Sequence, residues 1–309
     1  MRVNHAVLIF AVVSAGCQGE ADNPGPAETP TTTAVSDYRA VTDHYELIAP
    51  NQTDFDSAAR DLDAAAAQFE QHFGAAPPPI LVLIFENPEQ MQRYGVANMQ
   101  MQDVPVVPWY TEQYMRELAI KAGSDPGEAG EQRILMHEAG HMFFNYYVTQ
   151  LSENKFGEVR SVREDKYGHG IIRDWLDEAA ALICEYEGLK EQRRSFLAQN
   201  IGKRIPLDKF FTVDHEYKEE LARNPKASAG PEVRMSDPEG RDRGLLFYGQ
   251  ALSLAEFFVD REGPDFMTQV TKGHYRGETM SEILGRAKNL PADLRQLERE
   301  WVAWVKAGG

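Results

Sequence analysis

The sequence predicts an α+β protein, a small α/β lobe followed by a mainly helical one. Three observations carry that expectation. Ile80–Phe85 (ILVLIF) is a continuous apolar run between prolines, with the length of a buried strand. Asp54–Phe73, just before it, has an alanine-rich helical pattern. From about residue 127 onward helical periods dominate the chain.

Taken in order, His44–Ile48 reads as a short strand, and Asp54–Phe73 as a helix stopped by Gly74. Ile80–Phe85 is the central strand and Pro88–Tyr94 a short helix. Val104–Tyr110 (VPVVPWY) is extended, and its two prolines restrict it to an edge strand or a loop. These elements make the lobe 38–126. In the lobe 127–309, helices are expected at Glu131–Val148, Ile172–Glu187 (ended by Gly188), Gly244–Asp260, Met280–Ala287 and Leu294–Lys306. The polar stretch Asn224–Arg243 reads as a long loop, and no internal repeat is present.

The start of the chain reads as an address rather than as fold. Residues 1–16 combine a weakly basic beginning, the apolar run Ala6–Val13 and the small residues Ser14, Ala15 and Gly16, the pattern of a signal peptide. Ser14-Ala15-Gly16-Cys17 resembles the bacterial lipobox, which implies lipidation of Cys17. Gln18 in the next position implies the outer membrane. Cleavage near Ala15 would instead leave a periplasmic or extracellular protein. Residues 17–37 are rich in Pro, Thr, Ala and acids and read as a flexible tether. Apart from that lipid anchor no membrane contact is expected, because no other apolar run reaches the length of a span. Of the two cysteines, Cys184 lies in an apolar helical stretch and reads as a buried free thiol. The formal charge of −16 on 309 residues argues against nucleic acid as a partner. Oligomeric state is not encoded in any feature of the sequence.

Residues 137–141 are His-Glu-Ala-Gly-His. In a helix, positions i and i+4 lie about 40° apart around the axis and about 6 Å apart along it. Two imidazoles at that spacing can grip one metal ion, and Glu138 between them can act as a general base on water. Zinc suits this use because it lowers the pKa of coordinated water from about 15.7 to roughly 7. Two helical histidines can also be hydrogen-bonded core residues, so a third ligand is needed to decide. Gly140 costs a helix about 1 kcal/mol relative to alanine, so something must approach closely there. The extended HExxHxxGxxH pattern does not fit, since Phe144 and Tyr147 occupy its Gly and His positions. Glu178 and Glu185 are carboxylates one heptad apart in a largely apolar stretch, Asp174–Tyr186 (DWLDEAAALICEY), and a carboxylate facing a core must be paired or metal-bound. Asp174, Asp177, Glu185 and His169 are the other possible third ligands.

HEAGH followed by WLDEAAALICEY resembles the gluzincin zinc peptidases, especially the aminopeptidase N-like enzymes, and the wider layout resembles the peptidase-MA-like proteins. The likeness covers roughly residues 131–190. It implies a zincin-like helical lobe holding one zinc ion per chain, with His137, His141 and Glu178 as ligands. It further implies that Glu185 is an outer carboxylate orienting a zinc-bound histidine. The chain departs from the pattern in two ways. The separation of His141 from Glu178 is 37 residues, longer than in those enzymes, and no GxMEN motif is found. The order of residues also makes Tyr248, 70 positions after Glu178, the counterpart of their catalytic tyrosine, with His169 and His215 as weaker candidates. Trp109 and Tyr110 sit where gluzincins present an edge strand to the substrate backbone. The function implied is zinc-dependent hydrolysis of a peptide or protein substrate at the cell envelope. The alternative is a catalytically silent lipoprotein that uses a zinc-peptidase fold as a binding module.

Overall fold

The structure, a computed structural model, describes residues 38–96, 104–122, 133–152, 172–213 and 238–309. The signal and tether segments with Cys17, and the candidates His169 and His215, lie outside the described residues.

The fold is mixed α and β, with a small sheet at the N-terminal end followed by helices. The sheet runs β1 (Tyr38–Val41), β2 (Tyr45–Ala49), β3 (Ile80–Phe85), β4 (Val106–Tyr110), in that spatial order. β1 and β2 form an antiparallel pair, whereas β2–β3 and β3–β4 are parallel. Parallel neighbours need a crossover, and α1 (Gln52–Phe73) supplies the first one. Asn51 caps α1 by accepting from Asp54 N, and Gly74, at φ 64°, ends it through its N–H to Glu70 O. That φ is one a side chain rarely adopts, which is why glycine stops the helix there. α2 (Pro88–Tyr94) lies in the second connection, with Asn87 as its cap and Pro88 in its first turn.

Alternation along β3 explains its unbroken apolar sequence. Ile80, Val82 and Ile84 join Leu47, Val107 and Trp109 on the face packed toward the helices. Leu83 and Phe85 join Val106 and Val96 in a smaller cluster on the other face, flanked by Met91 of α2. A strand covered on both faces has no polar side to display. β4 stands at the end of the sheet, where Pro108 and its missing N–H are tolerated.

The helical part holds α3 (Glu112–Ala122), α4 (Arg133–Leu151), α5 (Asp174–Cys184), α6 (Glu187–Asn200), α7 (Leu207–Phe210), α8 (Pro238–Glu262), α9 (Asp265–Tyr275), α10 (Met280–Leu284) and α11 (Leu294–Lys306). A 3-10 turn, Ile201–Lys203, follows α6. Leu135, Ala139 and Phe143 of α4, the apolar side of α5, and Phe247, Leu254 and Phe258 of α8 meet α1 in one core that continues to the sheet. Phe144 and Tyr147 belong to this core. Phe144 lies 5.4 Å from Phe73 between ring centroids, and Tyr147 Oη is 2.8 Å from Thr268 Oγ1.

Two expectations need correction. Ile172–Glu187 is not one helix ended by Gly188. The chain leaves the helical conformation at Glu185 (φ −62°, ψ 156°) and Tyr186 (φ −67°, ψ 153°), then restarts as α6. Gly188 lies inside the first turn of α6, where a Cβ would stand 2.7 Å from the Tyr186 ring. It is there to admit that ring. The loop Asn224–Arg243 also ends early, because α8 already begins at Pro238. β1, α3, α7 and α9 are elements that the sequence reading does not anticipate.

Candidate metal centre

α4 and α5 cross with almost nothing between them. A Cβ on Gly140 would lie 2.8 Å from Ala181 Cα, a distance that real Cβ atoms do not keep, and a tight 3.1 Å from Ala180 O. Glycine therefore offsets its poor helix propensity by letting two backbones touch. That contact brings Glu178 on α5 up to the histidines one turn apart on α4.

The His137 and His141 rings are nearly perpendicular (86°), with their Nε2 atoms 3.1 Å apart. Glu178 Oε2 lies 3.6 Å from His137 Nε2 and 3.7 Å from His141 Nε2. All three residues offer ligand atoms within 4.8 Å of one another, a group that could hold a metal ion. Among the described residues it is the only such group. The donor set fits zinc: bonds of about 2.0–2.1 Å at tetrahedral angles separate donor atoms by about 3.3 Å.

The outer nitrogen of each ring faces its own carboxylate. His137 Nδ1 is 2.9 Å from Glu185 Oε1, and His141 Nδ1 contacts Asp177 Oδ2. A proton held on Nδ1 by a carboxylate leaves the Nε2 lone pair directed at the common centre. Asp177, with no exposed surface, also accepts from Asn145 Nδ2 at 2.9 Å, and the same amide donates to His141 O at 2.8 Å. Glu185 is gripped by Arg193, whose Nε donates to Oε2 at 2.6 Å and whose Nη2 donates to Oε1. Asp177 and Glu185 thus stand behind the histidines while Glu178 stands in front. Asp174 is buried at the start of α5 but does not belong to the ligand group.

The local field is negative. Burial opposes a charge on His141, but Asp177, Glu178 and Glu138 outweigh it and push its pKa up to about 10. Burial also opposes the charge on Glu185, yet Arg193 and His137 hold its carboxyl below the usual range. Glu138 follows His137 on α4, half-buried, close enough for its charge to act on both His141 and Tyr248. Tyr248 on α8 is buried, its ring perpendicular to that of His137 with centroids 6.3 Å apart. Burial, and then the charge of Glu178, raise its pKa well above the ordinary value, so it is a neutral phenol with a proton to donate. α8 reaches this position because Gly249 lets it press on α6: a Cβ there would meet Leu197 Cβ at 3.0 Å and Arg193 O at 3.1 Å.

The remaining candidates fall elsewhere. Trp109 is a core residue on the helix-facing side of β4, and Tyr110 lies on the opposite face, with its Oη 3.6 Å from Met91 Sδ. Cys184 is a buried free cysteine whose thiol burial pushes well above its ordinary pKa, so it is no nucleophile. Arg193 is not anticipated from sequence. The signal for Arg193 was a carboxylate, Glu185, that needed a cation.

Comparison of the chain with protein-family models, with curated proteins and with solved structures finds no match.

Proposed function

We propose that the chain is a zinc-dependent hydrolase of peptide or related amide bonds, exported and held at the membrane through Cys17. The observation that carries the reading is the convergence of His137, His141 and Glu178 from two touching helices, with a carboxylate behind each ring. The likeness of HEAGH and WLDEAAALICEY to gluzincins supports peptide bonds as the target.

When bound at this group, zinc polarises a carbonyl and brings the pKa of water toward 7. His137 and His141 would hold it through Nε2, and Glu178 through its carboxylate. Glu138 accepts the proton of the attacking water and returns it to the leaving amine nitrogen. The Tyr248 phenol, kept protonated by its surroundings, donates a hydrogen bond to the oxygen that gains charge. Asp177 and Glu185 keep the Nδ1 protons in place throughout.

The test is Glu138→Gln, assayed on a broad peptide library alongside zinc content. Zinc should stay near one per chain while turnover falls about 10²–10⁴-fold. Undiminished turnover would remove Glu138 from the reaction. Zinc binding without turnover in the unaltered protein would favour the binding-module alternative.

A further inference from the structure

One buried cation links the ligand cluster to the phenol, and the chemistry above makes no use of it. The Arg193 side chain on α6 is only 11% exposed. Its guanidinium holds both oxygens of Glu185, and its Cζ lies 5.0 Å from the centroid of the Tyr248 ring. Glu185, 1% exposed, in turn faces His137 Nδ1. The path His137–Glu185–Arg193–Tyr248 therefore connects α4, the C-terminal end of α5, α6 and α8.

We propose that Arg193 is a positioning residue that couples the orientation of His137 to the seat of Tyr248, so that metal affinity and phenol placement depend on one guanidinium. The inference rests on the reading of His137, His141 and Glu178 as metal ligands. Its physical basis is shape as well as charge. Glu185 sits where the chain leaves the helix, so helical geometry does not fix its side chain, and the guanidinium fork does. The same guanidinium lies over the phenol ring while it grips both oxygens of Glu185, a double contact that the point charge of lysine does not reproduce. The neighbouring Arg194 provides the contrast. It pairs with Glu187 and Glu256 and touches neither Glu185 nor Tyr248.

The experiment measures zinc affinity by chelator competition for the full chain and for Arg193→Lys, Glu185→Gln, their combination and Arg194→Lys. Tyrosine ring resonances are recorded in parallel, with those of Tyr248 identified by their loss in Tyr248→Phe. Arg193→Lys should bind zinc about tenfold more weakly and shift the Tyr248 resonances. Arg194→Lys should do neither. Because Arg193 acts through Glu185, the combination should bind zinc within about twofold of Glu185→Gln alone. Where Arg193→Lys does not yield folded protein, Arg193→Gln, which keeps a planar donor, takes its place. Affinity of the Arg193 variant within twofold of the unaltered chain, unmoved Tyr248 resonances, or independent losses that multiply in the combination would each overturn the coupling. Absence of zinc binding by the unaltered chain would instead defeat the metal reading itself.

Discussion

Asn145 and His274 show how single side chains set the properties of this interior. Asn145 spends its amide on Asp177 and on the backbone of His141, so it holds the carboxylate that faces the His141 ring. Asn145→Ala should weaken zinc binding about tenfold in a chelator competition, with helix content unchanged by circular dichroism. An unaltered affinity would mean that Asp177 needs no such support. His274 packs its ring 5.8 Å from that of Trp175, and burial followed by the charge of Arg173 pulls its pKa down to about 4. The unfolded chain takes up that proton near its ordinary pKa of about 6.5, earlier than the folded one. Stability should therefore fall as pH drops from about 6.5 to about 4, by up to about 3 kcal/mol. In His274→Phe that part of the slope should vanish from denaturant titrations at pH 7, 5.5 and 4. At this scale, legibility followed locality. His137, Glu138 and His141 could be read because one turn of helix fixes their relation. Glu178 stands out from Asp174, Asp177 and Glu185 in the same stretch only through the resemblance of WLDEAAALICEY to the gluzincin ligand helix. Arg193 was not visible, because its partner lies eight residues away across a break in the helix, and no periodicity reports such a pair.

At the scale of elements, the site depends on how closely α4 meets α5. Alanine at Gly140 would gain about 1 kcal/mol in helix propensity. The contact it would make, 2.8 Å to a Cα, is with backbone that cannot swing aside. Overpacking of that kind costs about 1–3 kcal/mol, so Gly140→Ala should be net destabilising in urea unfolding and should also weaken zinc binding. Gly244, in α8 with nothing within 4 Å of its added Cβ, is the control. Gly244→Ala should be neutral or stabilising by up to about 1 kcal/mol. If both glycines tolerate alanine equally, the close crossing does not constrain the site. The same scale explains what the sequence concealed. The split between α5 and α6 involves no proline, and the one available cue, Gly188, resembles a helix stop although it makes room for the Tyr186 ring. β1 stayed hidden because three of its four residues are exposed at the sheet margin, leaving no alternation to detect. α1, β3 and α11 were legible because each has a strong pattern and a cap or flank to bound it.

For the molecule as a whole, His137, His141 and Glu178 matter because they stand on two central helices of a shared core. An ion that binds the folded chain alone stabilises it by about 2.7–4.1 kcal/mol at 100–1,000 times its dissociation constant. Removing zinc with a chelator should therefore lower the thermal midpoint by about 5–15 °C in calorimetry, and His141→Ala should melt at the lower temperature with or without zinc. Equal midpoints for the chelated and zinc-loaded chain would count against occupancy of this site.

The touching backbones at Gly140 carry a consequence for which ions can enter. They set the carboxylate of one helix beside the two imidazoles of the other, so the donors on offer are two nitrogens and one carboxylate. Calcium prefers six to eight oxygens at about 2.3–2.6 Å, and would find here one carboxylate and two nitrogens. The site should thus sort cations by the hardness of its donors, and millimolar calcium should leave zinc in place.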